Sequence, residues 1–301
     1  MRYIFGPVNS RRFGISLGID LSPDVKSCNF DCLYCELKSA KPISFIQNPP
    51  KVEDIISEVK DALKRFSNID VITITSNGEP TLYNELESLV DQLNRIKKDK
   101  KLLILSNGST ICEKRVQNAL KKIDIVKLSL DCATQKCFKK IDRAIKGIEI
   151  EVLYQCMEKF SKESSSQLVI EILLVKGIND SEDEIKKINE VLQSIKPNRV
   201  DIGTIDRPPA YKVKPVSQDK IDKVAKEFTN LPLSIIYKNR PTKKEDFNKS
   251  DIMRLLSRRP QSQFDIENFF SNSSKKILKK LLEEKLVVRK DIAGVLFYAK
   301  A

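Results

Sequence analysis

The chain has 301 residues, 41% of them hydrophobic and 32% charged, and 54 Lys and Arg against 41 Asp and Glu give a formal charge of +13. That is enough chain for one barrel-sized soluble domain plus a small appendage, and no apolar run reaches the ~18 residues a bilayer span needs. Histidine is absent, so Ser-His-Asp machinery and His-ligated metal sites are excluded, and proton transfer falls to Asp, Glu, Lys, Tyr, Cys or water.

The opening Met1-Arg2-Tyr3-Ile4-Phe5-Gly6-Pro7 does not read as a signal peptide. The expected location is cytoplasmic, with no membrane partner. Seven cysteines, three of them in one loop, fit metal ligation in a reducing compartment better than a disulfide framework.

Asn9-Ser10-Arg11-Arg12 sets two guanidinium groups, Arg11 and Arg12, just ahead of the first predicted strand. They are candidates for gripping an anionic substrate group, the alternative being a surface ion-pairing role. Ile15 to Leu21 alternates apolar with small or polar residues, as a strand does, and Ser22-Pro23 ends it. Cys28-Asn29-Phe30-Asp31-Cys32-Leu33-Tyr34-Cys35 follows. A Cys-x3-Cys-x2-Cys loop can turn three thiolates, Cys28, Cys32 and Cys35, toward one soft metal centre. Structural zinc takes four protein ligands, whereas a cubane held by three leaves one iron open.

Downstream, helices and strands alternate. Lys51 to Phe66 carries a helical stripe, and Ile69 to Thr75 is a β-branched strand ending in Ser76-Asn77-Gly78-Glu79-Pro80-Thr81. Helix 82–96, strand 101–105, helix 112–121 and strand 125–131 come next. Asn107 falls in the turn after one strand, while Ser129 and Asp131 share parity on another. After two further helical stretches, Leu168 to Val175 is an apolar strand broken only by Glu171, which must face a lumen or a partner. Gly177 closes it. Helix 183–195 and strand 199–205 complete six strands whose crossovers predict a parallel (β/α)6 sheet curved into a partial barrel. Asn107, Ser129, Asp131 and Gly177 are polar or turn residues at strand ends, and each has a cap or turn role as its alternative.

The cysteine octad, with Tyr34 before the third thiol, resembles the cluster loop of radical S-adenosylmethionine (SAM) enzymes. The resemblance implies a [4Fe-4S] cluster on Cys28, Cys32 and Cys35 and SAM as cofactor. It further implies reductive cleavage to methionine and a 5'-deoxyadenosyl radical, and an electron donor such as flavodoxin or ferredoxin. Asn77, Gly78 and Glu79 stand where that family has a Gly-Gly-Glu-Pro-like turn for the amino group of SAM. Asn replaces the first glycine and is the side chain that best tolerates positive φ. Tyr34, Asn107, Ser129, Asp131 and Gly177 become candidate SAM contacts on the same ground.

The opening Tyr3 to Val8 with Ser10-Arg11-Arg12, the stretch Leu174 to Asp180 and Asp206-Arg207-Pro208-Pro209 resemble bacterial iron–sulfur oxidoreductases related to tRNA wyosine synthases. Arg207 is a third candidate substrate residue, on a stiff segment placed to lid the barrel mouth or simply to connect.

The expected domains are a radical SAM partial barrel at 1–212, a connecting segment at 213–246 with a helix 218–228 and a short strand 233–237, and a winged-helix-like unit at 247–301. The last 61 residues hold 14 Lys and Arg against 8 Asp and Glu. Lys275, Lys276, Lys279 and Lys280 mark its third helix, capped by Ser273-Ser274, and a hairpin turning through Asp291 and Gly294 follows. This predicts contact with nucleic acid, RNA in particular. The alternatives are protein contact through that unit, a small-molecule or protein substrate for the same chemistry, or a non-catalytic metal-dependent nucleic-acid-binding regulator. Cys112, Cys132, Cys137 and Cys156 are left as buried small hydrophobes or helpers of a second cluster.

Overall fold

Apolar strands alternating with amphipathic helices assemble one sheet whose strands lie side by side in chain order. The computed structural model describes residues 2–10, 12–235, 244–258, 260–292 and 295–301. The order is β1 (Ile4–Ser10), β2 (Gly14–Asp20), β3 (Val71–Thr75), β4 (Lys101–Ser106), β5 (Ile125–Ser129), β6 (Gln167–Leu174), β7 (Arg199–Thr204) and β8 (Leu233–Ile235). β1 runs antiparallel to β2, and every later pairing is parallel.

Parallel neighbours need helical crossovers. These are α1 (Val52–Arg65), α2 (Leu86–Ile96), α3 (Lys114–Leu120), α4 (Gln135–Ile141), α5 (Ile150–Glu163), α6 (Glu182–Ile195) and α7 (Gln218–Glu227). Each longer helix buries one stripe against the sheet, as Val52, Ile55, Ile56 and Val59 do on α1. Among the described residues no helix is long and apolar enough to cross a membrane.

The six predicted strands are β2 to β7, in a mostly parallel sheet clad by helices as expected. β1 was not foreseen, because Gly6-Pro7 reads as punctuation. At an edge, however, a proline's missing N–H costs no ladder bond, and the pairing register shifts at that point, between Phe5 and Val8. Within the segment read as a connection, α7 and β8 add a further parallel unit beside β7. Tyr237 of the strand expected there lies outside the described residues.

The C-terminal unit contains α8 (Lys249–Arg258), β9 (Gln261–Ser262), α9 (Gln263–Phe269), α10 (Asn272–Glu283), β10 (Val287–Ile292) and β11 (Val295–Lys300), with sheet order β10-β11-β9. Its third helix starts two to three residues earlier than expected, because Ser271 Oγ accepts the Ser274 N–H at 3.1 Å and makes Ser271 the cap. Gly294 of the expected turn is outside the described residues. Phe247, Ile252, Leu255, Phe269 and Phe270 form its core, which takes in Val8 of β1. The unit therefore packs on the edge strand, and the Arg65–Asp251 and Arg258–Asp20 ion pairs, at 2.5 and 2.6 Å, tie it to the barrel.

The remaining cysteines correct the expectation of free thiols. Cys112 is bonded to Cys156 and Cys132 to Cys137. The reason is proximity: the first pair joins the approach to α3 with α5, and the second joins the end of β5 to α4.

Candidate active site

The cysteine loop leaves the carboxyl end of β2 and is zipped to the segment around the end of α4. Asp31 N–H donates to the Asp142 carbonyl at 3.0 Å, Leu33 N–H to Ile141 at 2.8 Å, and Ile145 N–H to Asn29 at 2.9 Å. These bonds fix the loop while leaving Cys28, Cys32 and Cys35 as free, half-buried thiols.

Donors converge on two of the sulfurs. Phe30 N–H lies 3.4 Å and Asn107 Nδ2 3.7 Å from Cys28 Sγ, and Lys26 Nζ lies 3.8 Å from Cys35 Sγ. Cys32 Sγ instead donates to Asp142 Oδ1 at 3.4 Å. Burial pushes the Cys28 thiol up to about 12 and raises Cys32 and Cys35 as well. The three are therefore thiols until a cation displaces their protons.

Only Cys132, Cys137 and Glu184 bring three ligand atoms within 4.8 Å of one another among the described residues. Glu184 is committed elsewhere, accepting from Ala133 N–H, Thr134 N–H and Thr134 Oγ1. The Cys28, Cys32, Cys35 triad is more widely spread. A single tetrahedral zinc draws its thiolates to about 3.8 Å apart. The wider triad, with N–H groups aimed at sulfur, fits a multinuclear iron–sulfur group.

The turn after β3 locks onto this loop. Ser27 N–H donates to the Asn77 carbonyl and Glu79 N–H to the Ser27 carbonyl, both at 2.9 Å. Gly78 sits between them at φ +146°, where a Cβ would lie 1.8 Å from the Ser27 oxygen. Only glycine fits that approach. Glu79 is 1% exposed. Its Oε1 accepts from Thr81 N–H, Thr81 Oγ1 and Ser106 Oγ, and its Oε2 from Asn107 N–H at 2.7 Å. Burial raises this carboxyl despite those bonds. Glu79 thus clamps the turn to the end of β4.

The other rim residues meet in pairs. Asn107 Nδ2 also donates to Asn29 Oδ1 at 3.0 Å, and Asn29 donates in turn to Ser109. Tyr34 donates its hydroxyl to Asp131 at 2.5 Å, and the other carboxylate oxygen of Asp131 accepts Leu173 N–H at 2.7 Å. Ser129 is half-buried opposite Glu171 in the β5–β6 ladder. Gly177 is exposed at φ +72° with its N–H on Asp180. Asn29, Asp31 and Asp142 were not singled out from sequence. The first two lay within the octad, but Asp142 carried no signal.

Below the rim a cavity of about 490 Å³ fills the lumen, lined among others by Tyr34, Cys35, Asn77, Lys127, Glu171 and Arg207. Arg12 reaches its lower end, ion-paired with Glu171 at 2.9 Å and Asp201 at 3.2 Å. Arg11 lies outside the described residues. Arg207 pairs with Glu36 at 3.2 Å, Tyr211 donates to Asp31 at 2.5 Å, and Ala210 N–H donates to the Cys35 carbonyl at 2.8 Å. The segment after β7 therefore lies against the cysteine loop.

A model of the radical SAM superfamily matches residues 23–188. A "UPF0026 protein" of Helicobacter pylori strain J99 is 41% identical over 298 residues, 98% of this chain and 96% of that protein. The UPF0026 protein of Methanocaldococcus jannaschii is 29% identical over 320 residues, 100% of this chain and 96% of that one. Among solved structures, a radical SAM methyltransferase from Sphaerobacter thermophilus superposes with a TM-score of 0.57 at 14% identity, covering 74% of this chain and 66% of that chain. That likeness concerns the fold.

Proposed function

The chain belongs to the radical SAM superfamily, among the UPF0026 proteins, and on that premise we propose that it cleaves SAM reductively and turns the resulting radical on an RNA. Cys28, Cys32 and Cys35 would hold a [4Fe-4S] cluster which, once reduced by an external one-electron donor, would supply the electron for cleaving SAM to methionine and a 5'-deoxyadenosyl radical able to take a hydrogen atom from substrate. The observation that carries this reading is the interlock of the free-thiol loop with the Asn77-Gly78-Glu79 turn through Ser27.

The chain's own residues do the rest. Cys28, Cys32 and Cys35 are the ligands, with Asn107 and Lys26 donating to two of their sulfurs. Glu79 and Asp20 fix the turn from below and behind, through the Asn107 and Asn77 N–H groups. Asp131 orients Tyr34 beside the third cysteine. Arg207 and Tyr211 hold their segment against the cysteine loop and keep water from that side. The lumen cavity takes the reacting part of the substrate.

Two features support RNA. The charge is +13 overall, and Lys276, Lys279 and Lys280 stand exposed on α10 of a helical unit with a terminal hairpin. A small-molecule substrate is the second reading, because a cavity of about 490 Å³ is itself of small-ligand size.

Adding bulk RNA to reduced, cluster-loaded protein with SAM separates them. On the RNA reading it raises 5'-deoxyadenosine release, and reversing Lys276, Lys279 and Lys280 to Glu removes that stimulation. No response to RNA in the wild type favours the small-molecule substrate.

A further inference from the structure

Arg258, the last residue of α8, reaches from the C-terminal unit into the barrel. Its Nε lies 2.6 Å from Asp20 Oδ2, and it lines the lumen cavity with Ser257. Asp20 ends β2 and is 2% exposed. Its Oδ1 accepts the Ser22 N–H at 2.9 Å, where the chain turns toward the cysteine loop, and the Asn77 N–H at 2.8 Å. Oδ2 has no hydrogen-bond partner among the described residues, so the facing guanidinium is its counter-charge.

We propose that Arg258 is a positioning residue for SAM: by neutralising Asp20 it holds the Asn77-Gly78-Glu79 turn in its cofactor-binding form. SAM affinity then depends on a side chain of the C-terminal unit. The inference rests on the reading of that turn as a SAM contact.

The physical chain is short. A buried carboxylate that loses its counter-charge must take up a proton or draw in water, and either change weakens what it accepts on its other oxygen. On that oxygen hang Asn77 N–H and Ser22 N–H. The Asn77 carbonyl in turn accepts Ser27 N–H next to Cys28. A disturbance at Asp20 therefore reaches the turn and the entry to the cysteine loop together. The C-terminal unit itself stays docked without Arg258, because the Arg65–Asp251 pair and the core around Val8 anchor it independently.

The test is equilibrium SAM binding to the cluster-loaded full chain, with the thermal midpoint measured beside it. Arg258→Ala weakens SAM binding about fivefold or more, and Arg258→Lys recovers most of the loss. Asp20→Asn is isosteric and needs no counter-charge. In that background Arg258→Ala therefore makes no further difference.

Wild-type affinity in a folded Arg258→Ala protein overturns the inference. So does an equal further loss in the Asp20→Asn background, or a loss in both Arg258 variants that merely follows a fallen midpoint. If wild-type loaded protein does not bind SAM at all, the reading of the turn falls first and takes the inference with it.

Discussion

In the lower lumen, Arg12, Lys127 and Arg199 meet Glu171 and Asp201 in ion pairs of 2.7 to 3.2 Å. At the rim, Asp131 and Asp142 are buried, as Asp201 is, but face a phenol and a thiol instead of cations. The outcomes are opposite. Burial pushes Glu171 up, yet Lys127 and Arg12 outweigh it and hold that carboxyl below its ordinary range. Burial pushes Asp131 up to about 7 against the hydrogen bonds of Tyr34 and Leu173, and raises Asp142 too. The lower network sets three cations against two carboxylates within the chain, so each of its acids has a cationic partner and it acts as structure. The rim instead holds two carboxyls raised by burial beside three free thiols.

The comparison breaks most visibly at Asp201, which is 0% exposed and shared by Arg12, Lys127 and Arg199. Asp201→Ala strands buried cations and costs about 3–5 kcal/mol in chemical denaturation. Iron bound per folded chain stays the same, because no cysteine contact changes. A loss of iron in the folded variant would mean the two regions are not separable.

A smaller effect concerns protonation. The folded pKa of Asp131 lies above the ordinary carboxylate value of 3.8, at about 7, so between those two values the native state holds a proton that the unfolded chain has released. Its contribution to stability is present below the unfolded value and is lost as pH rises through about 7, with a slope of at most about 1.4 kcal/mol per pH unit. Asp131→Asn removes that part of the slope in denaturation of the iron-free protein. The Glu171 contribution runs the other way and fades as pH falls.

The smallest effect belongs to Lys26, whose ammonium lies 3.8 Å from Cys35 Sγ and 3.7 Å from Asp31. A cation beside a thiolate ligand favours the more negative, reduced cluster. Lys26→Ala therefore lowers the cluster's reduction potential and Lys26→Arg largely restores it, as read by a spectroscopic redox titration. An unchanged potential would show that this cation is only a loop clamp on Asp31.

Legibility divided along the same line. Cys28, Cys32 and Cys35 were readable because ligands of one centre sit within eight residues, and the parallel strands because each β-branched run precedes its own helix. Glu79 was read as a partner for an ammonium. Only the fold reveals that Ser106 and Asn107 at the end of β4 already draw on it. Arg12 likewise reads as an anion grip, but its partners Glu171 and Asp201 arrive from β6 and β7. The Arg258–Asp20 contact had no sequence signal, since it depends on how one unit seats on the edge of another.

The most direct test of the central claim is electron paramagnetic resonance of the anaerobically reconstituted, reduced protein with and without SAM, beside Cys32→Ala. The account predicts a reduced [4Fe-4S] signal that SAM shifts in the wild type, with 5'-deoxyadenosine formed on turnover, and neither in the variant. A protein that binds one zinc per chain, shows no cluster signal and ignores SAM would contradict it.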